Sequence, residues 1–412
     1  MKAIIMAGGK GTRIASVNSE VPKPMIEICG KPVLQWQIEC LVSQGVTDIT
    51  IVIGHLGKII RGYFDDGLRF NCNISYVVEE APLGTAGALT YLRDKIDDDF
   101  LLINSDIIFD IDIDRFYKYH KEHNCTATIF THPNSHPYDS GIIVANAQSI
   151  VTSWLNKEDE RRWYKNRVNA GIHMLSPRVF AYLSDDLVKL DLDRDILRKL
   201  IPSGELMCYD SPEYVKDMGT PERFNQVEKD IKSGVVKAKN LNNKQRALFL
   251  DRDGTINKYK GFLTDINEFE LNDGLVDIIR TANEKGWLVI VITNQPVIAR
   301  GDISWEELYE IHNKMETLIG EHGAYVDDIF ICPHHPDKGF PGERVEYKID
   351  CDCRKPKPGM INLASIEYNI NIGNSIVIGD SDSDIFTAIN AGCKGIKIDT
   401  DSFNWIEESY LV

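Results

Sequence analysis

The chain has 412 residues, more than one ordinary domain holds and enough for two or three. Its 46 Lys and Arg against 62 Asp and Glu leave a net charge of −16. That balance argues against a nucleic-acid backbone or an anionic membrane as the main partner, since both attract positive patches. With 43% hydrophobic and 26% charged residues, the composition is globular rather than disordered. Small phosphorylated molecules stay open as ligands, because a few local cations or a metal override the global field.

The opening MKAIIMAGGKGTR has a short apolar run that stops at glycines, too short for a signal peptide, and no later run approaches a membrane span. A soluble, cytoplasmic protein is expected. Nine cysteines are too sparse for a disulfide scaffold. Short apolar runs at 3–6, 49–53, 100–104, 247–250, 288–293 and 375–379 read as buried strands. Helix-length amphipathic stretches such as 33–44 and 275–285 lie between them. This alternation predicts an α/β protein of βαβ units with mostly parallel sheets. A strand leads into a phosphate-type loop at the start and again near residue 247, and the Lys- and Asn-rich stretch 233–246 between reads as a linker. The expected domains are 1–235 and 247–412, joined by 236–246.

In the first half, a strand ends in Gly8, Gly9, Lys10, Gly11, Thr12 and Arg13. Glycines let backbone N–H groups approach phosphate oxygens, and Arg13 adds a charged fork. A Gly-rich turn without a ligand has the same composition. Lys23 follows between Pro22 and Pro24, and Gly84, Thr85 and Ala86 form a second small-residue loop suited to passing a flat base and ribose. Asp106 ends the strand FLLINSD at the edge where open α/β sheets bind ligands, and Asp217 is a second isolated acid beside a Gly turn. Two such carboxylates suit Mg²⁺, which takes few carboxylates plus substrate phosphates.

AGGKGTR, VPKPM, PLGTAGA, NSD, VNAGI and DMGTPERF, in this order over residues 1–230, resemble the sugar-1-phosphate nucleotidyltransferases. The resemblance implies a Rossmann-like domain with a mixed sheet. It implies that Gly8–Arg13 and Lys23 hold the triphosphate, Gly84–Ala86 line base and ribose, Asp106 and Asp217 hold Mg²⁺, and Asn169 and Gly171 face the sugar phosphate. The GTAG loop is similar to that of guanylyl- and some uridylyl-transferring members, which points to GTP. Where the family often has Glu-Lys-Pro, this chain reads Leu155-Asn156-Lys157-Glu158, so Lys157 keeps a lysine and the glutamate's sugar contact is lost.

In the second half, Asp251 and Asp253 follow the strand ALFL at spacing i, i+2. One carboxylate can attack phosphorus while the other protonates the leaving oxygen and then activates water. A bare Asp-x-Asp is equally a solvated acidic turn. Thr293 and Asn294 end the strand VIVITN where they can donate to a phosphate, Arg354 and Lys355 supply cations, and Asp380, Asp382 and Asp384 end a third strand. Cys332, His334, Cys351 and Cys353 form a CxH…CxC set that can close a structural zinc site, with buried thiols as the alternative and His334 preferred to His335.

The four strand-end motifs resemble the haloacid-dehalogenase-like (HAD-like) phosphatases, which implies a doubly wound parallel sheet. It implies that Asp251 is the nucleophile, Asp253 the acid/base, and that Mg²⁺ sits on Asp251, the Asp253 carbonyl and Asp380. Lys355 would steady nucleophile and phosphate, and Asp384 would support the metal from behind its ligands. The string DRDGTIN, TNQ, CPHHP, CDCRKPKPGM and GDS resembles the heptose 1,7-bisphosphate phosphatases, with histidinol phosphatases as nearest relatives. Pro296-Val297 stands where Ser-Gly is more usual, which removes a backbone donor, and Ser381 where lysine is frequent.

Together the resemblances imply consecutive steps: heptose 1,7-bisphosphate loses its 7-phosphate, and the heptose 1-phosphate then takes GMP from GTP. The implied product is GDP-D-glycero-α-D-manno-heptose for cell-surface glycans. A mannose-1-phosphate guanylyltransferase beside another phosphatase, or one half acting as a non-catalytic binding module, are the rival readings. A homo-oligomer is compatible with the sequence, though nothing in it marks an interface.

Overall fold

The computed structural model describes residues 1–9, 21–339, 341–399 and 411. It divides into two compact units: Met1–His132, Ile143–Trp154 and Asn169–Asn240 form the first, and Pro133–Ile142, Leu155–Val168 and Leu241–Val412 the second.

The first unit is organised by a nine-stranded mixed sheet. Its centre is β1 (Lys2–Ala7), hydrogen-bonded in parallel to β2 (Asp48–Ile53), which carries β3 (Asn73–Val78) at its far edge. On the other side β1 pairs in parallel with β4 (Phe100–Asn104). These strands are apolar on both faces because both faces are covered. Ala3, Ile5 and Ile51 face one core cluster, and Ile4, Val52 and Leu102 face another. A separate two-stranded ladder starts with β5 (Ile107–Asp110), directly after Asp106. The large sheet continues through β6 (Ala127–His132), β7 (Ile142–Ala145), β8 (Val151–Leu155) and β9 (Val168–Leu175), the last antiparallel to β4 and so giving the sheet its mixed character. β10 (Leu206–Asp210) runs parallel to β6, and β11 (Tyr214–Asp217) is antiparallel to β5 with Asp217 opposite Ile107. Helix α1 (Val33–Ser43) packs beneath this edge, where Gln37 donates to the carbonyls of Asn104 and Ile107.

The second unit is built on five parallel strands: β12 (Ala247–Leu250), β13 (Leu288–Asn294), β14 (Asp328–Cys332), β15 (Ile376–Gly379) and β16 (Lys394–Lys397). Their spatial order is β14-β13-β12-β15-β16. The order reverses at β12, so the C-terminal ends of β12, β13 and β15 meet at a topological switch point, where such sheets bind ligands. Helices α2 (Leu275–Glu284), α3 (Trp305–Glu321), α4 (Gly359–Glu367) and α5 (Asp382–Ala391) cover the sheet. α3 opens with a capping box between Ser304 and Glu307.

The expected strands and helices are present within a residue or so of their expected ends, and the sheets are mixed in one unit and parallel in the other. The stretch 233–246 is packed rather than a bare tether. Val235 and Val236 join a core cluster of the first unit and Asn240 donates to Asp110, while Leu241 joins the core of the second and the Gln245 backbone pairs with Asn369. Its lack of large side chains misleads because amides and backbone groups make many of these contacts. The segment 155–168 docks on α3 inside the second unit. The Tyr164 N–H donates to Thr317 Oγ1 at 3.0 Å, the Asn166 N–H to Glu316 Oε2 at 2.9 Å, and Arg167 Nη2 to the Asp327 carbonyl at 2.7 Å.

Candidate active sites

In the first unit, the loop after β1 is shaped by what lies behind it. A Cβ on Gly8 would fall 1.7 Å from Glu79 Oε2, so any side chain there would displace the Glu79 carboxylate, whereas Gly9 has open space around it. Glu79 is buried, burial raises its carboxyl, and it accepts the Leu83 N–H at 3.1 Å. Gly11, Thr12 and Arg13 lie outside the described residues. Lys23 begins a short turn between Pro22 and Pro24, and its Nζ reaches Asp106 Oδ2 at 2.5 Å.

The two expected Mg²⁺ ligands sit at one strand junction. The Met218 N–H donates to the Asp106 carbonyl at 3.1 Å, tying the ends of β5 and β11 together. Each carboxylate faces a cation: Asp106 faces Lys23, and Asp217 takes Arg223 Nη1 at 3.0 and 2.9 Å with the Gly219 N–H at 2.8 Å. Both remain over a third exposed, leaving hard oxygen donors open to a small dication. The second small-residue loop is stitched to the segment before Ile196. Thr85 Oγ1 accepts the Leu192 N–H at 2.7 Å, the Ala86 N–H reaches the Leu190 carbonyl, and a Cβ on Gly84 would strike that carbonyl at 2.3 Å.

Asn169 and Gly171 meet at the start of β9, where the Gly171 N–H donates to Asn169 Oδ1 at 3.1 Å. Gly171 has φ +75°, and a Cβ there would lie 2.6 Å from Asn104 Nδ2. Asn169 Nδ2 donates at 3.3 Å to Asp193, whose carboxyl is raised to about 6 by burial and by Asp191. Among the described residues, Lys157 makes no hydrogen bond or ion pair with Asn169 or Gly171. It lies on the segment that belongs to the second unit, exposed, with its ammonium 3.8 Å from Glu158.

In the second unit, Asp251 and Asp380 at strand ends converge with Lys355 from a loop and Asp384 from the first turn of α5. Lys355 Nζ stands 2.6 Å from Asp251 Oδ1 and 2.6 Å from Asp384 Oδ1. Asp251, Asp380 and Asp384 bring carboxylate oxygens within 4.8 Å of one another. Gly254, at φ +84°, lets Asp380 in: a Cβ there would lie 2.0 Å from its Oδ2. Burial pushes Asp251 up to about 7, with Asp384 and Asp253 adding to the rise and Lys355 opposing it. Burial and Asp384 likewise raise Asp380. Burial alone would lower Lys355, but Asp251 and Asp384 outweigh it and hold the ammonium charged. Three carboxylates around one ammonium leave surplus negative charge that a divalent cation would neutralise, so the donor set fits Mg²⁺.

Thr293 is buried and accepts Gln295 Nε2 at 2.8 Å. Asn294, expected as a phosphate donor, is turned to Lys355: its Oδ1 accepts the Lys355 N–H at 3.0 Å and its Nδ2 donates to the Lys355 carbonyl at 3.2 Å. Asp384 is wholly buried, and besides Lys355 it accepts Ser381 N and Oγ through Oδ2. Ser381, where lysine is frequent, therefore caps α5. Pro296 is the first residue of the short helix Pro296–Arg300, where an N–H would have no partner inside the helix.

The cysteine cluster closes on four atoms. Sγ of Cys351 is 3.6 Å from that of Cys332 and 3.3 Å from that of Cys353, and His334 Nδ1 is 3.3 Å from Cys353 and 3.8 Å from Cys332. Tetrahedral Zn–S bonds of about 2.3 Å would separate ligand atoms by roughly 3.8 Å, so the set is close to zinc dimensions. Hydrogen bonds from Cys332, Cys351 and His334 hold the Cys353 thiol down at about 5 despite burial, while Cys332 is pushed up. His335 stands outside the set, 3.8 Å from Asp337. Arg354, next to Cys353, donates to the His334 carbonyl at 3.0 Å.

A nucleotidyl transferase family model matches residues 2–234, more than half of the chain. The chain belongs to the nucleotidyl transferases. A second model, HAD-hydrolase-like, matches residues 352–408. The D-glycero-beta-D-manno-heptose-1,7-bisphosphate 7-phosphatase of Yersinia pestis is 39% identical over 152 residues, covering 37% of this chain and 78% of that protein. So this nucleotidyl transferase also carries a HAD-like phosphatase domain, at its C-terminal end. A mannose-1-phosphate guanyltransferase from Hypocrea jecorina is 31% identical over 230 residues, 54% of this chain, which spans 62% of that relative's length. A crystal structure from Bacillus anthracis, described as a glucose-1-phosphate thymidylyltransferase, shares the fold with a TM-score of 0.50 at 23% identity, over 56% of this chain and 96% of that one. Among the described residues, no helix is long and apolar enough to cross a membrane.

Several residues of this nucleotidyl transferase escape motif reading. Glu79 backs the first loop, Arg223 holds Asp217 and Asp193 holds Asn169. In the phosphatase domain, Asp253 is gripped by Arg252, Gln295 and Asn257. Arg252, Gln295 and Arg223 sit inside the motifs DRDGT, TNQ and DMGTPERF, so adjacency was the available signal; Glu79 and Asp193 had none beyond being polar.

Proposed function

We propose that the protein removes the 7-phosphate of D-glycero-D-manno-heptose 1,7-bisphosphate and transfers GMP from GTP to the resulting heptose 1-phosphate, making GDP-D-glycero-α-D-manno-heptose in the cytoplasm. One observation carries this reading: a nucleotidyl transferase and a domain similar to heptose bisphosphate phosphatases share a chain. The anomeric phosphate left by the second is what the first consumes.

In the phosphatase step, an Asp251 carboxylate oxygen attacks the 7-phosphorus while the C7–O–P bond breaks and Asp253 gives its proton to the departing sugar oxygen. The Asp253 carboxylate then takes a proton from water, the hydroxyl attacks the aspartyl-phosphate, and inorganic phosphate leaves with Asp251 restored. Lys355 steadies the Asp251 carboxylate and the phosphoryl oxygens, and Thr293 donates to the phosphate. Asp251, Asp380 and the Asp253 carbonyl would hold Mg²⁺, which when bound offsets phosphoryl charge. Cys332, His334, Cys351 and Cys353 would hold a structural Zn²⁺ that fixes the loop bearing Arg354 and Lys355.

In the transfer step no protein nucleophile is needed. An oxygen of the sugar phosphate attacks the α-phosphorus of GTP and pyrophosphate leaves, so the protein's share is positioning and charge neutralisation. The Gly8–Arg13 loop and Lys23 would hold the triphosphate, Gly84, Thr85 and Ala86 the nucleoside, and Asn169 and Gly171 the sugar phosphate. Asp106 and Asp217 would hold a second Mg²⁺.

The test is incubation with heptose 1,7-bisphosphate, GTP and Mg²⁺, in both anomers because the Yersinia pestis relative is named for β. Free phosphate and GDP-heptose are both expected. The likeness to the Hypocrea jecorina relative favours a second reading, a mannose-1-phosphate guanylyltransferase. A nucleotide-by-sugar activity matrix separates the two, and a clear preference for mannose 1-phosphate over heptose 1-phosphate would overturn the heptose assignment.

A further inference from the structure

Between the two aspartates of DRDGT stands Arg252, whose side chain is wholly buried. Its guanidinium covers Asp253 from one side: Nε reaches Oδ1 at 3.1 Å, and Nη2 reaches Oδ1 at 2.9 Å and Oδ2 at 2.8 Å. The remaining arm, Nη1, lies 3.0 Å from His312 Nε2 on α3. A guanidinium has only donors, so His312 Nε2 accepts and the ring proton is on Nδ1. Burial, with Arg252 adding, keeps this ring neutral by driving its pKa far below the usual value. Asn257 and Gln295 complete the grip on Asp253 at 3.2 and 2.8 Å.

α3 is itself pinned close to His312. Glu316 and Thr317, one turn further along, take the backbone N–H groups of Asn166 and Tyr164, and Arg167 Nη1 lies 3.6 Å from Glu316. Glu316 is buried, and burial raises its carboxyl against the pull of Arg167. A continuous run of polar contacts thus joins the 155–168 segment, α3, His312, Arg252 and Asp253.

We propose that Arg252 and His312 are positioning residues for phosphoryl transfer, a clamp that aims the Asp253 carboxylate, with the 155–168 segment fixing the helix at its far end. The inference rests on the phosphatase reading above. An acid/base that must serve both the leaving sugar oxygen and the attacking water loses rate steeply with small errors of aim. In the ionised state, in which Asp253 takes a proton from water, a buried guanidinium whose charge answers this one carboxylate resists any rotation of it, because an unpaired buried charge is costly. The segment 155–168 would therefore be part of the phosphatase machinery although it belongs to the first half of the sequence.

The test uses the full chain with heptose 1,7-bisphosphate and, as a generic probe, p-nitrophenyl phosphate. His312→Leu removes the acceptor, whereas His312→Gln keeps one in nearly the same place. The leucine variant should lose at least about tenfold in kcat with KM within about twofold, and glutamine should restore most of that loss. Thr317→Val, at the pinned turn, should cost about two- to fivefold in kcat. Nucleotidyl transfer should not change in any of them. A leucine variant that keeps more than about half of kcat overturns the clamp, as do equal losses in both His312 variants with a matching fall in melting temperature, which would mark packing alone. A wild-type chain that hydrolyses neither substrate removes the phosphatase reading and the clamp with it. Hydrolysis by wild type that the leucine variant leaves unchanged removes only the clamp.

Discussion

The two candidate sites treat their charged groups in opposite ways. In the second unit the side chains of Asp251 and Lys355 are 12% and 2% exposed, and the Asp253 and Asp384 carboxylates are each braced by several partners. In the first, Asp106 and Asp217 are 36% and 41% exposed, each facing one cation. On the proposed reading, the difference follows from where the nucleophile comes from. A phosphatase that attacks with its own carboxylate needs that group dry and fixed before substrate arrives. A nucleotidyl transferase receives its nucleophile on the substrate, so it needs an open floor on which two phosphorylated molecules and a dication are aligned.

The sharpest way to break this contrast is a pair of single substitutions. Asp251→Asn should abolish phosphate release, a loss of at least about a thousandfold, and leave GMP transfer to heptose 1-phosphate within about twofold. Asp106→Asn should do the reverse, with a loss of about a hundredfold or more, since on the proposed reading it removes one metal-holding oxygen rather than the nucleophile. Steady-state assays of each half-reaction on purified variants decide it. If either substitution depressed both activities, the two sites would not be independent.

A smaller effect is expected at the cysteine cluster, which belongs to the fixed site and, among the described residues, has no counterpart in the open one. Arg354 leans on the His334 carbonyl, and Asn294 holds the Lys355 backbone from the other side, so Lys355 is clamped between cluster and sheet. Cys353→Ser should lower the zinc content, measured by plasma emission, from about one ion per chain toward none. It should cut phosphatase kcat about tenfold to a hundredfold and leave transfer untouched. A variant that kept zinc, or lost it without losing phosphatase rate, would contradict the clamp between loop and sheet.

What the sequence revealed of each site tracks this same contrast. Strand ends were legible because runs such as Ala247–Leu250 and Phe100–Asn104 are apolar on both faces, and an acid directly after such a run has one place to go. Asp251 and Asp380 therefore emerged with their neighbours, whereas Lys355, in irregular backbone well beyond the end of β14, is legible from its motif alone. The partners that aim them come from far along the chain: His312 is 60 residues from Arg252, and the 155–168 segment packs on α3 across a gap of about 150. No local period or spacing encodes such meetings. In the first unit, Arg223 shares a motif with Asp217, but Glu79 and Gly8 are joined only by the parallel pairing of β1, β2 and β3. Asn294 shows a different limit: its position was legible, yet which neighbour its amide would choose depended on where Lys355 lay.

The contrast also has a pH signature, the smallest of the expected effects. The first unit buries two histidines, His173 on β9 and His120, each lowered to about 4 chiefly by burial. A histidine whose folded pKa lies below its unfolded value near 6.5 favours folding fully above that value and loses the contribution as pH falls toward 4. From these shifts each histidine should cost the first unit roughly 2 kcal/mol by pH 5, a loss that Asp193, raised to about 6 by burial, offsets only in part. The second unit has His312 acting in the same direction, but Asp251 acts against it. Its folded pKa of about 7 lies above the unfolded carboxylate value, so in metal-free protein it favours folding as pH falls through that window. Transferase activity should therefore be lost before phosphatase activity when the metal-free chain is held near pH 5 and assayed after return to neutral pH. His173→Leu should narrow the gap by flattening the acid slope of the first unit's melting temperature. A leucine variant with the same slope as wild type would show that this imidazole finds, in the folded state, a way to carry its proton.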